Sequence, residues 1–403
     1  MATVTQTDLP VLPVETAEFS ADPDPFLKAA RAVHPWLARF SQGYVVHGYQ
    51  ECCDLLADSE NMICGFGPII DFYDVRGSMW ARFMEEIVIS RSGADHARLR
   101  ASVNLAFTPR RANRERELMQ RVITDLLDEW APRGHFDFAH FASVFPVTVM
   151  CGLLGVSAEP IPRMRDALEN QLKSLTMDPA AKPLFMAGWD VLWDFADTAV
   201  HEREASGQFD EDSLLDSLIA AKNRGELDET ELRFMVLTVF VAGYDTSKNQ
   251  LTVTMNLLLS RPDIYQRCAE DLQFCRKVTE ESLRHTAIAS PPRAVLRDFT
   301  YGGLTFRAGE MLVLSPPLAN RDPRMFPDPE RFDPERENRD RHVAFGRGAH
   351  ICLGQYIARN QLQEGLHLIA RRIRNPRLTG PVEWRPFLGA WGPKSLPIAF
   401  DAA

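Results

Sequence analysis

The 403-residue sequence predicts a mainly α-helical protein with small β-sheets, folded as one large domain. Apolar residues recur at helical spacing in four long segments, at 117–130, 232–259, 263–286 and 355–373. Short strand-like segments interrupt the helices, at 43–47, 294–301 and 310–314. No repeat, low-complexity tract or linker divides the sequence. We therefore expect one domain over residues 23–403, preceded by an irregular arm at 1–22.

Composition and charge narrow the possible classes of function. Hydrophobic residues make up 45% of the chain and charged residues 25%, which is ample for a large core. The formal net charge of −10 argues against binding to nucleic acid or to an anionic membrane, because both require a basic surface. No apolar run approaches the ~20 residues that span a bilayer, and the first residues lack the layout of a signal peptide. We expect a cytoplasmic protein.

Two segments are expected to lack regular structure. Residues 62–84 place many apolar side chains between glycines, and such a loop is expected to face either a cavity or the core. Residues 320–340 are crowded with Pro, Arg and Asp, which disfavours a helix or a strand. The first segment is a candidate wall for a binding site.

Only one of the seven cysteines has neighbours that indicate chemistry. No two of them form a Cys-x-x-Cys pair, so a disulfide framework or a zinc site is not expected, and six are interpreted as small buried hydrophobic residues. Cys352 precedes the predicted helix 355–373, where unpaired amide groups and the positive helix end lower the pKa of a thiol. Cys352 is therefore expected to be a thiolate, a suitable axial ligand for ferric iron.

The residues around Cys352 form an extended motif. Positions 345–354 read Phe-Gly-Arg-Gly-Ala-His-Ile-Cys-Leu-Gly, with glycines that permit unusual backbone conformations and, at Gly354, leave room for a flat macrocycle. This segment resembles the haem-binding signature of cytochromes P450, Phe-Gly-x-Gly-x-His-x-Cys-x-Gly, at every specified position. The alternative interpretation is a Gly-rich loop before an ordinary buried cysteine.

The resemblance implies the cytochrome P450 fold, with haem b between a central helix and the cysteine loop. Cys352 would bind the iron, and Phe345, Gly346 and Gly354 would contact the cofactor. The expected donors to the haem propionates are His96, Arg100, Arg293 and His350. The resemblance also implies a buried structural triad, formed by Glu281, Arg284 and Arg331.

The predicted helix 232–259 contains the run Ala242-Gly243-Tyr244-Asp245-Thr246. A glycine inside a helix costs ~1 kcal/mol, and local rules broken in a core often mark function. We expect Gly243 to let the helix open above the haem, with Thr246 bonding the freed carbonyl and Ala242 beside the cofactor. In the family an acid–alcohol pair delivers protons during oxygen activation, which makes Asp245 and Thr246 the candidate catalytic residues. Tyr244 departs from the small or His residue that is commoner there.

The resemblance implies a monooxygenase that inserts one oxygen atom from O2 into an organic substrate, by hydroxylation or oxidative demethylation. Little sequence follows the cysteine helix, so we expect NAD(P)H to supply electrons through separate proteins. One alternative is a haem-thiolate peroxygenase or isomerase, which often lacks the acid–alcohol pair. Another is a haem-based binding or sensor protein without turnover, which needs no proton relay. A helical scaffold without haem is the remaining alternative.

The expected substrate is a small to medium apolar molecule, possibly aromatic. The candidate contacts match the substrate-contacting segments of the family and are rich in aromatic groups, which favour flat ligands. They are Phe72, Trp80, Phe83, Val239, Ala289, Ser290 and Phe387. Arg76 or Arg82 is an alternative contact, for a substrate carboxylate.

The expected electron donor is an acidic protein of the ferredoxin or flavodoxin type, which works with its own reductase. A chain of net charge −10 repels an acidic partner unless one face is locally basic. The segments expected around Cys352 supply such a face, with Arg110, Arg111, Arg339, Arg341, Arg347 and Arg359.

Overall fold

The computed structural model describes residues 2–4, 7–176 and 178–402, which form a mainly helical body with four small sheets, as the sequence predicts. The α-helices are α1 Ala17–Ala21, α2 Asp24–Val33, α3 Tyr49–Ala57, α4 Gly67–Phe72, α5 Met79–Glu86, α6 Gly93–Asn104, α7 Pro109–Arg114, α8 Arg116–Trp130, α9 Phe138–Leu154, α10 Ile161–Lys173, α11 Lys182–Ser206, α12 Leu214–Asn223, α13 Glu229–Leu259, α14 Pro262–Glu270, α15 Leu272–His285, α16 Pro316–Ala319 and α17 Gln355–Arg372. The strands are β1 Ala2–Thr3, β2 Leu37–Phe40, β3 Gly43–Val46, β4 Met62–Ile63, β5 His135–Asp137, β6 Pro292–Val295, β7 Phe299–Tyr301, β8 Leu304–Phe306, β9 Met311–Leu314, β10 Ile373–Leu378, β11 Glu383–Trp384, β12 Pro393–Ser395 and β13 Pro397–Ala402.

The longest helix, α13, is enclosed by other helices. It begins with a capping box, in which the Asp228 carboxylate accepts from the Glu231 amide at 2.7 Å and the Glu231 carboxylate accepts from the Asp228 amide at 2.9 Å. Helices α9, α10, α11, α15 and α17 all contact α13, and most of its side chains are buried. A helix that is apolar on nearly every face is stable only when such neighbours cover it.

The predicted helices are found with one change of boundary. Segments 117–130, 232–259 and 355–373 correspond to α8, α13 and α17. The predicted helix 263–286 is instead two helices, α14 and α15, which meet at Asp271. The Asp271 carboxylate accepts from the Gln273 amide at 2.7 Å and so caps the second helix.

The largest sheet has five strands in the order β2-β3-β9-β6-β4. The predicted strands 43–47 and 310–314 are β3 and β9, which pair in parallel. The predicted strand 294–301 is two strands, β6 and β7, in different sheets. Strand β6 runs antiparallel to β9 with Arg293 opposite Leu312, and the Arg293 side chain is buried. The sheet thus holds Arg293 in a fixed position.

The segment 62–84, expected to be irregular, contains β4, α4 and most of α5. The Ser78 hydroxyl caps α5 by accepting from the Ala81 amide at 3.1 Å, and one face of α5 is buried against the core. Burial of that apolar face explains why the helix forms in a sequence that reads as a loop. The expectation that 320–340 lacks regular structure agrees better with the structure, since only a short 3-10 turn, Arg339–Arg341, forms at the end of this segment.

The first 22 residues were expected to be an irregular arm, but their described part contains β1 and the short helix α1. Leu12, Val14 and Phe19 are buried, and the Leu12 amide donates to the Arg39 carbonyl at 2.8 Å. Apolar side chains in this segment therefore anchor it to the sheet and to the rest of the core.

The buried pair Glu281–Arg284 forms as expected, but its third member is different. Arg284 donates to both carboxylate oxygens of Glu281, at 2.6 and 3.1 Å, and both side chains are fully buried. The Arg331 side chain is 71% exposed and lies near Asp333, whereas Arg336 is only 9% exposed and its Nε lies 3.5 Å from Glu281. The prediction of Arg331 was wrong, because a second buried cation next to Glu281 is supplied five residues later. Arg331 contributes its carbonyl, which accepts from Arg284 at 3.1 Å.

Candidate functional site

Cys352 lies in the loop that leads into α17. Its amide donates to the Phe345 carbonyl at 2.8 Å, which closes the loop on itself. Gly346 and Gly348 have φ of +71° and +72°, a region that favours glycine. A Cβ at Gly348 would also lie 2.7 Å from the Ala57 backbone. The two glycines are therefore required by the backbone shape of the loop, and Gly348 also by its contact with α3.

The electrostatic expectation for Cys352 needs correction. The sequence predicts a lowered pKa, whereas burial raises the pKa of this thiol and outweighs the opposing effects of the Gly354 amide and of Arg100. The difference arises because a loop packed against the core loses more hydration than the helix terminus compensates. The raised pKa does not exclude a ligand role, since coordination to a metal cation deprotonates a thiol outright.

The four predicted propionate donors lie together although they come from three parts of the chain. The rings of His96 and His350 are 4.3 Å apart, and Arg100 donates to the Ile351 carbonyl at 2.8 Å. Burial lowers the pKa of His350 to about 4, and the nearby charges of His96, Arg293 and Arg100 lower it further. Nε2 of His96 is buried without a hydrogen-bond partner among the described residues.

This arrangement fits a haem. Four nitrogen-bearing side chains concentrated at one place suit a pair of carboxylates, and the unpartnered Nε2 of His96 can donate to one of them when it carries the ring proton. A Cβ added at Gly354 would meet no described atom within 4 Å, so a flat ring is not obstructed there. The thiol of Cys352 lies in the loop between these features.

The central helix presents a small face that differs from the rest of α13. Ala242 and Thr246, four residues apart, are exposed, while Tyr244, Asp245, Ser247 and Lys248 around them are buried. The Thr246 hydroxyl donates to the Ala242 carbonyl at 2.7 Å, as the sequence predicts.

The expected opening of the helix at Gly243 is not found. α13 is a continuous α-helix from Glu229 to Leu259. A Cβ at Gly243 would lie 2.8 Å from the Met150 sulfur, so the glycine allows α9 to approach α13 closely. Because the Met150 side chain is flexible and could move aside, this contact favours a small residue at position 243 but does not require glycine.

Asp245 is buried, whereas its neighbour Thr246 is exposed. The Oδ1 of Asp245 has no hydrogen-bond partner among the described residues, and the nearest cation, Arg385, is 3.9 Å away. Burial raises the pKa of Asp245 to about 6, although Lys248 and Arg385 act against this shift. A carboxyl group that titrates near neutral pH is able both to hold and to release a proton.

The structure places the predicted substrate contacts in different environments, and three of the aromatic ones lie in the core. Trp80 and Phe83 belong to the packed core, where Trp80 donates to Gln171 at 2.9 Å and Phe83 lies 4.9 Å from the Trp189 ring. Phe387 packs against Phe19 of α1 at 4.9 Å. These aromatic side chains are already covered by protein, because the helices around them close over the apolar surface that the sequence offers.

The other predicted contacts occupy more varied places. Phe72 is 43% exposed at the end of α4, and Val239 is buried on α13. Ala289 pairs with Ala390, whose carbonyl accepts from Asn249 of α13 at 3.2 Å. The Ser290 and Ser315 hydroxyls are 3.0 Å apart. Ala289 therefore lies beside the 387–391 turn, which in turn contacts α13 through Ala390.

The alternative carboxylate contacts are engaged elsewhere. Arg76 pairs with Asp71 and Glu85, and Arg82 pairs with Glu86 at 3.1 Å, all at the surface. Of the basic residues expected near Cys352, Arg110, Arg341 and Arg347 are exposed. Arg111 pairs with Glu115 and Asp212, and Arg339 lies 3.7 Å from Asp340. Arg359 pairs with buried Glu280 at 2.7 Å and stacks on Phe345.

Several residues near the site were not identified from the sequence. Glu169 and Arg385 approach Asp245 and Lys248 from distant parts of the chain. The sequence nevertheless contained an indication of this charged site, because Tyr244, Asp245 and Lys248 interrupt an apolar helix within two turns. An open cleft of about 570 Å³ next to the cysteine loop was also not predicted; it is lined in part by Cys53, Ala57, Arg347 and Ile351.

None of the helices in the described residues is long and apolar enough to cross a membrane. The family model that matches the chain is that of cytochrome P450, over residues 170–374. Luteothin monooxygenase from Streptomyces thioluteus is 33% identical over 401 residues, which cover 98% of this chain and 97% of that protein. Cytochrome P450-SU2 from Streptomyces griseolus is 34% identical over 76% of this chain and 75% of that protein. The crystal structure of myxobacterial CYP267B1 in complex with myristic acid has a TM-score of 0.87 and 27% identity, covering 97% of this chain and 99% of that one.

Proposed function

The chain belongs to the cytochrome P450 family, and on that premise we propose that it is a haem-thiolate monooxygenase. In this proposal Cys352 is the iron ligand, and Asp245 and Thr246 are the pair that delivers protons. Members of this family use haem and O2, and they receive electrons from redox partners. The observation that carries the proposal for this chain is the convergence of His96, Arg100, Arg293 and His350 near the Cys352 loop. Its seven free cysteines support a reducing compartment such as the cytoplasm.

The residues of the chain would divide the work as follows. Cys352 would hold the haem iron through its thiolate, and the bound haem would supply the oxygen chemistry. The four nitrogen donors orient the cofactor through its carboxylates. Thr246 presents its hydroxyl on the exposed face of α13, where it can hold a proton close to the reacting atoms. Asp245 holds the next proton behind this face, linked to Thr246 by water or by rotation of its side chain.

A carbon monoxide difference spectrum of the reduced protein tests the haem-thiolate assignment. The expected result is the absorption band characteristic of a thiolate ligand. Product formation that consumes O2 and NAD(P)H in the presence of a ferredoxin or flavodoxin and its reductase tests the monooxygenase assignment. A haem protein without that band would contradict the first, and a thiolate protein that turns over only with peroxide would contradict the second.

The proposed substrate is a small to medium apolar molecule. Ala242 and Ala289 support an apolar surround, and half-buried Phe66 and Met79 pack against the main core from the 62–84 segment. The aromatic part of the expectation has weaker support, because Trp80, Phe83 and Phe387 are packed within the protein. We expect small to medium apolar compounds to give the largest spin-state shift in a ligand screen. Preference for long aliphatic chains or sugars would contradict this substrate class.

The proposed electron donor is an acidic protein that binds beside the cysteine loop. Arg110, Arg341 and Arg347 are exposed, and Arg347 lines the cleft next to this loop. Changing these three arginines to Glu should slow reduction of the iron about tenfold at low ionic strength, because charges of this kind accelerate encounter. The rate of reduction, measured by stopped flow across a salt series, should converge with that of the wild type as screening increases.

A matched control keeps the same change in net charge. It replaces three exposed arginines on other elements by Glu: Arg163, Arg224 and Arg377. This control should retain most of the wild-type rate. If both triple variants slow the reaction equally, net charge and not the proposed face governs association.

A further inference from the structure

A cluster of charged and polar side chains surrounds Asp245 of the proposed proton-delivering pair. It consists of Glu169 on α10, Tyr244, Asp245 and Lys248 on α13, and Arg385 after β11, and we call these five residues the charge cluster. Asp245 and Lys248 are buried, Arg385 is mostly buried and Glu169 is partly exposed, and charges buried in this way are costly unless they compensate one another. The cluster therefore needs an explanation beyond packing.

Direct contacts join Glu169 to α13. The Lys248 ammonium donates to Glu169 Oε1, and the Tyr244 hydroxyl donates to the same oxygen at 3.1 Å. The Lys248 nitrogen also lies 5.3 Å from the centre of the Tyr244 ring. Tyr244 and Lys248 are one turn apart and face α10 together, which accounts for the presence of a tyrosine at this position.

The exposed fraction of the side chains falls sharply from Glu169 to the residues of α13. The Glu169 side chain is 38% exposed, whereas those of Lys248 and Asp245 are only 3% exposed. Asp245 comes three residues before Lys248 and one before Thr246, so on the helix it lies between the face toward α10 and the exposed face. Its Oδ1, without a hydrogen-bond partner in the described part of the protein, is free to accept a proton.

We propose that solvent protons enter at Glu169 and that Lys248 passes them to Asp245, so that the charge cluster resupplies the acid that serves Thr246. This inference rests on the proposed function, because it requires that Asp245 delivers protons. Glu169 and Lys248 are positioning residues in this scheme, since they act only through Asp245. For each proton that Asp245 releases, Lys248 gives one and becomes an amine. Glu169 takes one from solvent and returns it to Lys248, which restores the original charges.

The charges of the cluster set the pKa values of its members. Burial raises the pKa of Glu169, but Lys248, Arg385 and Tyr244 outweigh burial and hold that pKa below its ordinary value, so Glu169 rests as a carboxylate and carries a proton only transiently. Burial lowers the pKa of Lys248, which makes its transient amine form accessible. Burial also raises the pKa of Asp245 to about 6, where Lys248 and Arg385 lower it and Glu169 raises it. Removing the charge of Glu169 should therefore make Asp245 more acidic, and removing that of Lys248 should make it less acidic.

Two further groups face the cluster. Arg165 of α10 lies 2.9 Å from a ring nitrogen of His140 on α9, and the charge of Arg165 acts on Tyr244. Glu169 and Lys248 both influence His140, whose pKa is lowered by burial and by Arg165. A pH profile of the wild type includes these groups, so the test below compares variants with each other.

The experiment measures product formation against pH in the haem-loaded enzyme with its redox partners. Asp245 must be protonated to deliver a proton, so the rate falls as pH rises through its pKa. Glu169→Gln should move this alkaline limb to lower pH, and Lys248→Met should move it to higher pH. Each should also lower the rate about tenfold and increase the solvent deuterium isotope effect, because proton supply becomes limiting.

A second measurement does not depend on turnover. The infrared band of the protonated carboxyl group that disappears in Asp245→Asn reports the titration of Asp245. Its midpoint should shift down in Glu169→Gln and up in Lys248→Met. Glu169→Asp retains a carboxylate and should recover much of the rate, while Glu159→Gln removes an exposed charge just before α10 and should match the wild type.

The outcomes separate this inference from the proposed function. If Asp245→Asn leaves the coupling of NAD(P)H oxidation to product unchanged, the relay itself is wrong and the inference falls with it. If Asp245→Asn uncouples the enzyme but Glu169→Gln and Lys248→Met leave the pH profile and isotope effect unchanged, only the inference is overturned. Should Lys248→Met fail to fold, Glu169→Gln alone decides, because its side chain is partly exposed and its amide preserves the bond to Tyr244.

Discussion

Cys352→Ser is expected to abolish the thiolate signature in the carbon monoxide difference spectrum. A serine hydroxyl stays protonated near neutral pH and is a poor ligand for this iron, whereas a thiol loses its proton on coordination. The expected loss is complete, because no other cysteine lies in the haem-signature loop. Absorption spectra of the reduced protein with carbon monoxide provide the measurement, normalised to haem content by extraction.

The control for this prediction is Cys151→Ser, which makes the same replacement at a buried cysteine of α9. It should retain the thiolate band. Far-UV circular dichroism should show that Cys352→Ser keeps its helices, since the Cys352 loop is closed by backbone bonds that serine also forms. Persistence of the wild-type band in Cys352→Ser would mean that another residue binds the iron.

Thr246→Ala and Asp245→Asn are expected to leave haem and substrate binding intact and to divert reducing equivalents into peroxide. General acid–base groups contribute about 10² to 10⁴-fold to a rate, and a large part of this should be lost in the yield of product. The Thr246 hydroxyl donates to the Ala242 carbonyl of its own helix, and asparagine has nearly the shape of the Asp245 side chain, so both variants should keep the fold. The measurement compares NAD(P)H oxidised, peroxide formed and product formed.

The two variants should also differ from each other. Thr246→Ser keeps the hydroxyl and should recover coupling, whereas Thr246→Val, which keeps the shape, should not. Asp245→Asn should flatten the pH dependence of product formation near the pKa of about 6 raised by burial. Unchanged coupling in both Thr246→Ala and Asp245→Asn would remove the proton-relay role from this pair.

Local sequence was sufficient to locate the cysteine loop and the central helix. The loop conformation depends on glycines at positive φ and on the hydrogen bond from the Cys352 amide to the Phe345 carbonyl, all within ten consecutive residues. The central helix follows from a long apolar run that begins with a capping box. His96, Arg100 and Arg293 were placed with the loop only because the motif resembled a known family. Spacing alone does not bring α6 and β6 together.

The tertiary structure decided which side chains meet from distant segments. Whether Arg331 or Arg336 approaches Glu281 depends on how one irregular loop packs, and both arginines look alike in sequence. Gly243 is a predicted hinge, but α13 is continuous there and the glycine lies against the Met150 side chain of α9. A large aromatic residue such as Trp80 or Phe387 looks the same in sequence whether it packs in the core or lines a cavity. The sequence therefore could not tell which of the two applied, and the structure places both side chains in the core.

By itself the sequence determined the family, the iron-ligand candidate and the helix that carries Asp245 and Thr246, because each is written in contiguous residues whose backbone requirements are local. Only the tertiary structure placed Glu169 and Arg385 around Asp245. Electrostatic interactions between buried groups depend on distance through space and on lost hydration, and neither quantity can be read from positions 169, 245 and 385 in a linear chain.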